Sequence, residues 1–417
     1  MAKYSKIGKI NDDFDVVQLK SVLVKNDAGD WGNEPDNSAI GIIRSTNFNN
    51  DGKLDLTNVA YRTLSTRKFE EKKLFASDIL VERSGGSETQ PVGRVGYITE
   101  EIAKSDFAFA NFIQRISVDE TVDSKFIYYC LQHLYEMGIT SGMQTQTTGI
   151  RNLDWKQYIG TYLPKPSLPE QASIANILSS VDEAIESVKK SIDAAEKLKK
   201  SLMQNLFTGR MKPDGTLRTE EEFYEDEKFG KVPIGWEVGR FKKFSILQRG
   251  SDLTDKEVVS GIYPVVKSNG ISIYHNQYFV KQPGVVTGRS GTIGKAFYIE
   301  DNFWAHNTTL YVKDFKNNVP KYIYYLILSM NFERYYAGTT VPTLNRNDIH
   351  KLKVMIPKTS EEQQKIVSIL DVNNKIINDK KDKVYTLERL KKSLMQNLLT
   401  GKVRVGEEGK RNKIFTS

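Results

Sequence analysis

Two short glycine-containing segments carry arginine and serine side chains suited to binding an anion or a nucleic-acid base. They are Arg83-Ser84-Gly85-Gly86 and Gly288-Arg289-Ser290-Gly291, and each follows a short apolar run that is typical of a buried strand. Arginine fits guanine or a phosphate group, and the glycines leave backbone amides free to donate hydrogen bonds. A glycine after a strand is also commonly a turn and nothing more. Nucleic-acid contact and a plain turn are therefore equally supported by these two segments alone.

Two further pairs of polar segments repeat this chemistry. Arg44-Ser45-Thr46-Asn47 and Lys267-Ser268-Asn269 follow apolar runs, and residues 144–152 are answered by residues 339–346. Asparagine and glutamine suit adenine edges, although a polar loop leading into a helix has the same composition. The candidate nucleic-acid-binding residues are Arg44, Ser45, Thr46, Asn47, Arg83, Ser84, Gln144, Gln146, Arg151, Lys267, Ser268, Asn269, Arg289, Ser290, Asn345 and Arg346.

The elements that must position these segments belong to an internal duplication. Lys199–Leu206 recurs without change as Lys391–Leu398, and both copies reach Thr-Gly one residue later. The match continues backwards without a gap, and fainter similarity runs through the preceding modules, where residues 149–153 correspond to residues 340–344. Because internal repeats define an architecture, we predict a tandem duplication of one unit, a mixed α/β module followed by a long helix.

The duplication predicts six segments along the chain. They are residues 1–165 (first module), 166–210 (first long helix), 211–229 (connector), 230–357 (second module), 358–405 (second long helix) and 406–417 (basic tail). A chain of 417 residues is long enough for two or three domains, in agreement with this division.

Each long helix carries a narrow apolar stripe. Between Pro169 and Leu206 there is no glycine and no further proline, and Gly209 follows as a helix terminator. The stripe has the three-and-four spacing of a helix that packs against another helix, and in the second copy Asn373 and Lys380 interrupt it. The predicted helix-pairing residues are Ile174, Leu178, Val181, Ile185, Val188, Ile192, Leu198, Leu202, Ile366, Leu370, Ile377, Val384, Leu387, Leu390 and Leu394.

The length of the stripe favours pairing of the two helices with each other. About 36 residues at ~1.5 Å each span roughly 55 Å, which is more than one small module covers. We predict an antiparallel coiled coil that separates the two modules, with the duplicated units related by a pseudo-twofold axis. The alternative is that each helix packs on its own module as an ordinary core helix.

Composition narrows the class of protein. Lysine and arginine number 60 against 52 acidic residues, and the net charge of +8 weakly favours a polyanionic partner. One cysteine and four histidines argue against a disulfide and against a zinc site. No apolar stretch approaches the ~20 residues of a membrane span, and the first nine residues lack the apolar region of a signal peptide. We expect a cytoplasmic protein without a metal or cofactor of its own.

The catalytic motifs of DNA-modifying enzymes are missing from the sequence. A methyltransferase tetrapeptide of the Asn-Pro-Pro-Tyr type needs a Pro-Pro pair, and the chain has none. No P-loop pattern occurs, and no Ser/His/Asp or Cys/His set recurs in both copies. The sequence therefore predicts a binding protein and not an enzyme.

Several features together match a known family. They are the paired module-and-helix layout, the proline-containing approaches to both helices, the Leu-Met-Gln-Asn-Leu helix ends followed by Thr-Gly, and the start of the second module from Gly230 to Trp236. Over nearly its whole length the chain resembles the DNA-specificity subunits of type I restriction–modification systems. The first copy departs from the pattern because Asn11-Asp12-Asp13-Phe14 stands where the second has Pro233-Ile234-Gly235-Trp236. This leaves the packing of the N-terminal segment open.

The resemblance implies a non-catalytic subunit whose modules are target-recognition domains. Each module would read one half of a bipartite DNA site from the major groove, and the helices would act as a ruler for the unread gap. It implies two modification (methyltransferase) subunits as partners, and restriction subunits that join through them. S-adenosylmethionine, ATP and Mg²⁺ would reside only on those partners. Near-identical helices fit two identical partners, and dissimilar modules fit different half-sites.

Two other functions stay open on the sequence alone. A stand-alone DNA-binding regulator or antirestriction protein with the same fold would bind DNA without partners. A coiled-coil scaffold with two peptide-binding modules would not bind DNA, so salt-sensitive DNA binding separates it from the other two. Co-purification of a methyltransferase separates the subunit from the regulator.

Overall fold

The computed structural model describes residues 4–87, 90–147, 150–330, 332 and 343–405. The chain forms two compact units whose limits differ from those of the sequence repeats. Unit 1 consists of Met1–Val188 and Lys383–Ser417, and unit 2 consists of Lys189–Asp382. The tail expected at residues 406–417 lies outside the described residues. Within the described part of the chain, no helix combines the length and apolarity needed to cross a bilayer.

The first repeat contains short strands and five α-helices among its described residues. Its strands are β1 (Tyr4–Ser5), β2 (Gly8–Lys9), β3 (Asp15–Gln18), β4 (Leu23–Ala28), β5 (Ile40–Ile43), β6 (Ala60–Arg62), β7 (Ile79–Glu82), β8 (Ser84–Gly86), β9 (Val95–Tyr97), β10 (Phe107–Phe109), β11 (Ile113–Val118), β12 (Gln144–Thr147), β13 (Ile150–Leu153) and β14 (Tyr162–Lys165). Its helices are α1 (Thr66–Lys72), α2 (Glu100–Ala103), α3 (Ser124–Glu136), α4 (Trp155–Ile159) and α5 (Leu168–Phe207).

The second repeat has a similar but smaller set of elements among its described residues. Its strands are β15 (Phe223–Asp226), β16 (Gly230–Pro233), β17 (Trp236–Arg240), β18 (Ile246–Arg249), β19 (Tyr263–Lys267), β20 (Gly270–His275), β21 (Gly284–Gly288), β22 (Ala296–Ile299), β23 (Trp304–Ala305), β24 (Thr309–Asp314) and β25 (Lys353–Pro357). Its helices are α6 (Phe241–Phe244), α7 (Pro320–Ser329), α8 (Arg346–Lys351) and α9 (Ser360–Leu398).

The two modules share one sheet topology. In unit 1 a four-stranded antiparallel sheet has the order β4-β11-β7-β9, and a three-stranded sheet has the order β10-β5-β6 with β10 parallel to β5. In unit 2 the corresponding orders are β18-β24-β21-β22 and β23-β19-β20, with β23 parallel to β19. The mixed α/β class and the tandem duplication predicted from the sequence are confirmed.

The hydrophobic core of each unit takes helices from both repeats. In unit 1, Phe126 of α3 belongs to one buried cluster with Leu178 near the start of α5 and Leu398 at the end of α9. In unit 2, Leu326 of α7 belongs to a cluster with Leu370 near the start of α9 and Leu206 at the end of α5. Each long helix therefore packs on its own module at its start, as the alternative expected, and completes the core of the other unit at its end.

The helices pair antiparallel within each unit. In unit 1, Glu170 forms an ion pair with Arg404 at 2.8 Å, and Asp182 forms one with Lys391 at 2.8 Å. Residue numbers therefore rise along one chain segment as they fall along the other, which is the antiparallel arrangement. In unit 2, Glu196 of α5 bonds Lys381 of α9 at 2.9 Å. Gly209 ends the α5 segment with φ +66°, where a Cβ atom would lie 2.2 Å from Cγ of Pro233. The predicted pairing and helix terminator are confirmed.

Two of the predicted pairing residues lie outside the seam. Leu198 is 52% exposed and its repeat equivalent Leu390 is 46% exposed, whereas Leu206 and Leu398 are buried. A step of four residues turns an α-helix about 400°, so leucines at this spacing drift ~40° around the helix at each step. Leu202 and Leu394, one step further on, are half-buried. The drift turns Leu198 and Leu390 towards solvent.

The N-terminal segments of the two modules pack in the same way despite their different sequences. Phe14 and Trp236 are both fully or almost fully buried. Arg404 lies over the Phe14 ring at 4.9 Å and bonds Glu170, and Arg218 lies over the Trp236 ring at 5.7 Å and bonds Glu362. The departure in sequence at residues 11–14 therefore leaves the packing unchanged.

Candidate nucleic-acid interface

In unit 1 the polar segments after two buried strands meet at one edge of the sheets. Strand β5 and residues 79–81 of β7 are apolar and largely buried, and the residues that follow each strand reach the surface. Ser45 Oγ donates to the Ser84 carbonyl at 3.2 Å, and Ser84 Oγ donates to Asn152 Oδ1 at 2.6 Å. Strand β8 also pairs with β13. The structure thus brings together all three segments that the sequence singled out in the first module.

A fourth loop, residues 110–112, joins this group. The carbonyl of Phe112 accepts hydrogen bonds from the amides of Arg83 at 2.9 Å and Ser84 at 3.3 Å. We call residues 44–47, 83–87, 110–112, 144–147 and 150–152 the first loop cluster. Thr148, Gly149 and the side chains of Gln146 and Thr147 lie outside what the structure describes.

Unit 2 contains the same arrangement, which we call the second loop cluster (residues 267–269, 288–291, 306–308 and 343–346). The Thr308 carbonyl accepts from the amides of Arg289 at 2.8 Å and Ser290 at 3.1 Å, and Thr308 Oγ1 accepts from the Ser268 amide at 3.3 Å. Ser290 and Thr343 form an isolated antiparallel β-bridge through their backbones. Residues 339–342, also predicted from the sequence, lie outside the described residues.

The two clusters share their main backbone hydrogen bonds. The Leu153 amide donates to the Arg83 carbonyl at 2.8 Å, and the Leu344 amide donates to the Arg289 carbonyl at 2.7 Å. This agrees with the sequence match of residues 149–153 to 340–344. Gly288 is needed in the second cluster because a Cβ atom there would lie 1.8 Å from the Thr292 carbonyl oxygen.

Both clusters contain cations that form no ion pair with another described residue. Among the described residues, the following cations form no ion pair: Arg44, Arg83 and Arg151 in the first cluster and Lys267, Arg289 and Arg346 in the second. Burial, and then the nearby Arg249, lowers the pKa of Arg289. Burial, followed by Lys267, lowers the pKa of His306, and Asp252 and Asp255 oppose this shift. Cations held together without carboxylate partners are suited to a polyanion such as DNA.

The predicted side chains divide into exposed and internally bonded groups. Thr46, Asn269 and Arg346 are exposed. Asn47 is 2% exposed, and its amide donates to the carbonyls of Asp55 at 2.7 Å and Asn58 at 3.1 Å, so it holds its loop together. Asn345 caps α8 by accepting from the Asn347 amide.

One predicted residue, Gln144, has buried amide atoms without a partner. Both Oε1 and Nε2 are shielded from solvent and form no hydrogen bond within the described part of the chain. Leaving such groups unbonded is costly. The Gln144 amide is therefore buried inside the first loop cluster and is not displayed at its surface.

A buried ion pair positions the first loop cluster. Arg94 bonds the Glu82 carboxylate through Nε at 2.8 Å and through Nη2 at 2.7 Å, and Glu82 is 0% exposed. The same guanidinium donates to the carbonyls of Ser45 and Phe48. Burial raises the pKa of Glu82, and the bond to Arg94 opposes that rise. Arg94 thus ties the loop after β5 to the end of β7.

Sequence reasoning missed Arg94, Phe112 and Thr308. The available signal for the fourth loop was an asparagine one residue earlier in both copies, Asn111 and Asn307. Arg94 had no such signal, because the corresponding pair in unit 2 is different. Lys295 stands in place of Arg94, and Gly288 stands in place of Glu82.

Two similar clusters of polar loops, each with cations and each on a separate α/β module, are suited to binding a nucleic acid. The profile of the type I restriction modification DNA specificity domain matches residues 11–197 and 233–386. The chain belongs to this family.

Similar proteins agree with that assignment. The type I restriction enzyme MjaIX specificity subunit of Methanocaldococcus jannaschii is 25% identical over 97% of this chain and 97% of its own length. The MjaVIII specificity subunit of the same organism is 24% identical over 73% of this chain and 76% of its own length. The crystal structure of the type I restriction–modification S subunit from M. genitalium aligns over 95% of this chain and 99% of its own, with a TM-score of 0.59 and 16% identity. The last likeness concerns the fold alone.

Proposed function

We propose that each loop cluster reads one half of a bipartite DNA sequence and that partner subunits supply the catalysis. The observation that carries the proposal is the combination of one backbone arrangement with different side chains. Asn152 stands where Thr343 stands, Arg44 where Lys267 stands, and Phe112 where Thr308 stands. Because base identity is read by side chains at groove edges, identical scaffolds with different side chains suit two different half-sites.

No cofactor is proposed for this chain. S-adenosylmethionine, ATP and Mg²⁺ would be bound by modification and restriction subunits, and the paired helices would set the length of the unread gap between half-sites.

The test is adenine-methylation sequencing in a host that expresses this chain with its modification subunit. We expect one new bipartite methylated motif that disappears when the chain is omitted. Arg83→Gln should relax or abolish specificity in one half of the motif and Arg289→Gln in the other, because each removes one guanidinium that contacts a base or phosphate. A loss of about 1–3 kcal/mol per lost base contact corresponds to a roughly 5- to 150-fold weaker half-site.

Either of two results would count against this function. If both variants altered the same half-site, the assignment of one half-site to each cluster would be wrong. If a stable complex formed without any new motif, the stand-alone regulator would be favoured.

We further propose that two copies of one modification subunit dock on equivalent helix faces. Five solvent-exposed positions near the end of α5 match five exposed positions near the end of α9. They are Lys197, Leu198, Lys200, Ser201 and Gln204 in unit 2, and Arg389, Leu390, Lys392, Ser393 and Gln396 in unit 1. Folding places little constraint on exposed side chains. Their near identity in two repeats whose modules differ is explained by one partner that binds both.

Leu198→Glu and Leu390→Glu should each remove one modification subunit. A carboxylate in place of an apolar anchor leaves a buried charge in the interface, which costs several kcal/mol. Native mass spectrometry of the assembled complex should show one modification subunit for either single variant and none for the double variant.

Val372→Glu is the matched control, because Val372 is 60% exposed on α9 and has no apolar equivalent on α5. It should leave two modification subunits bound. Two bound subunits in the Leu198→Glu, Leu390→Glu double variant would rule these faces out.

A further inference from the structure

An exposed aromatic ring lies in the middle of the first loop cluster. Phe112 is 45% exposed, and its own carbonyl is bonded to the amides of Arg83 and Ser84. These two residues are among those proposed to contact DNA, so the ring is held next to them by two backbone hydrogen bonds. A single exposed phenylalanine needs no explanation in general, but one fixed among the reading loops does.

The second loop cluster has a polar residue in this position. Thr308 takes the same backbone bonds, and its hydroxyl is used inside the protein, where it accepts from the Ser268 amide and lies 3.0 Å from His306 Nδ1. The ring of Phe112 cannot form such bonds. Unit 1 therefore presents an apolar surface at a point where unit 2 presents none.

The apolar group that a DNA major groove offers is the 5-methyl group of thymine. Resting on the proposed function, we infer that Phe112 is a specificity-determining residue that contacts a thymine methyl in the half-site read by unit 1. The neighbouring Arg83 and Ser84 supply polar contacts to the adjoining base or phosphate, and Phe112 adds a preference that hydrogen bonds do not provide. The half-site of unit 1 contains a thymine on one strand at this position.

Deoxyuridine isolates the methyl group, because it differs from thymidine by that group alone. The full chain, assembled with its modification subunit, is tested on duplexes that carry its methylated motif, with each thymine of both strands replaced in turn. Wild-type binding should weaken about fourfold at one thymine of one half-site, the factor expected for one buried methyl. Phe112→Ser should bind the unmodified duplex about fourfold more weakly or worse, and should no longer distinguish thymine from uracil there.

Phe75→Ser is the matched control, since Phe75 is 48% exposed in the same module and precedes β7, whereas the loop cluster follows it. It should retain the wild-type preference for thymine. Full thymine discrimination in Phe112→Ser, the absence of any sensitive thymine in the wild type, or equal losses on thymine and uracil duplexes would overturn the inference. Absence of any sequence-specific binding by the wild type would instead overturn the proposed function.

Discussion

Arg94→Met is expected to destabilise unit 1 by about 3–5 kcal/mol and to abolish reading of one DNA half-site. The substitution leaves the Glu82 carboxylate, which is 0% exposed, without its counter-ion. It also removes the donors that hold the carbonyls of Ser45 and Phe48. The loop after β5 then loses its fixed position beside Ser84. Chemical denaturation measures the stability, and methylation sequencing should show degeneracy in only one half of the motif.

The loss should depend on pH. Burial already raises the pKa of Glu82 above its ordinary value of 4.5, and removal of Arg94 removes an opposing effect, so the folded-state pKa rises further. Between 4.5 and that raised pKa the folded state binds a proton that the unfolded state has released. Stability of the variant therefore falls as pH increases through this window. The destabilisation should be smaller at about pH 5 than at pH 8.

A second substitution separates charge burial from loop positioning. Adding Glu82→Gln to Arg94→Met removes the unpaired charge, so stability and its pH dependence should largely recover while half-site reading stays lost. Arg67→Met is the control for a surface ion pair, because the Arg67 side chain is 90% exposed where it pairs with Glu71 on α1, and it should cost about 1 kcal/mol or less. A wild-type motif in the Arg94→Met variant would contradict the role assigned to Arg94.

The elements and the three polar segments could be predicted because their signals are local. The three-and-four spacing of α5 and α9 indicates a helix wherever it packs, and a polar segment after an apolar run reaches the surface at the end of a strand. The repeat then assigns corresponding places to the segments, for example Ser84 and Ser290. None of these steps requires knowledge of a contact between distant residues.

The remaining parts of the site depend on long-range contacts that leave no pattern in a single sequence. Nothing in the sequence around Arg94 distinguishes it from other arginines. Only the pairing of β9 with β7 brings it next to Glu82. Comparison of the two repeats does not reveal this ion pair, because the second copy has Gly288 and Lys295 at the two positions. Asn47 is buried and Leu198 is exposed because of the direction in which each side chain points. The spacing of residue types along the chain predicts that direction only approximately.

The order of the repeats does not by itself show which core the ends of the long helices complete. A stripe shows that a helix has an apolar face but not which surface that face covers. Leu398 closes the second sequence repeat yet lies in the core of unit 1, and Leu206 closes the first repeat yet lies in the core of unit 2. The end of each long helix therefore belongs to the unit formed by the module of the other repeat.

Leu398→Ala should therefore destabilise unit 1, and Leu206→Ala should destabilise unit 2. Both side chains are buried, at 3% and 0% exposure, so each truncation leaves a cavity and costs about 2–5 kcal/mol. Hydrogen exchange resolved by peptide distinguishes the units, because α3 reports on unit 1 and α7 on unit 2. Leu398→Ala should accelerate exchange in α3 and spare α7, and Leu206→Ala should do the reverse.

Leu390→Ala serves as the control, since this leucine is 46% exposed two turns before Leu398 and its truncation should change stability by no more than about 0.5 kcal/mol. Faster exchange in α7 for Leu398→Ala would show that the end of α9 packs on its own module, which contradicts the core described above. The packing of Leu398 in unit 1 also links the end of α9 to DNA reading. Because Leu398 supports the module that holds Arg83, a substitution at the end of the second repeat should weaken the half-site read by the first.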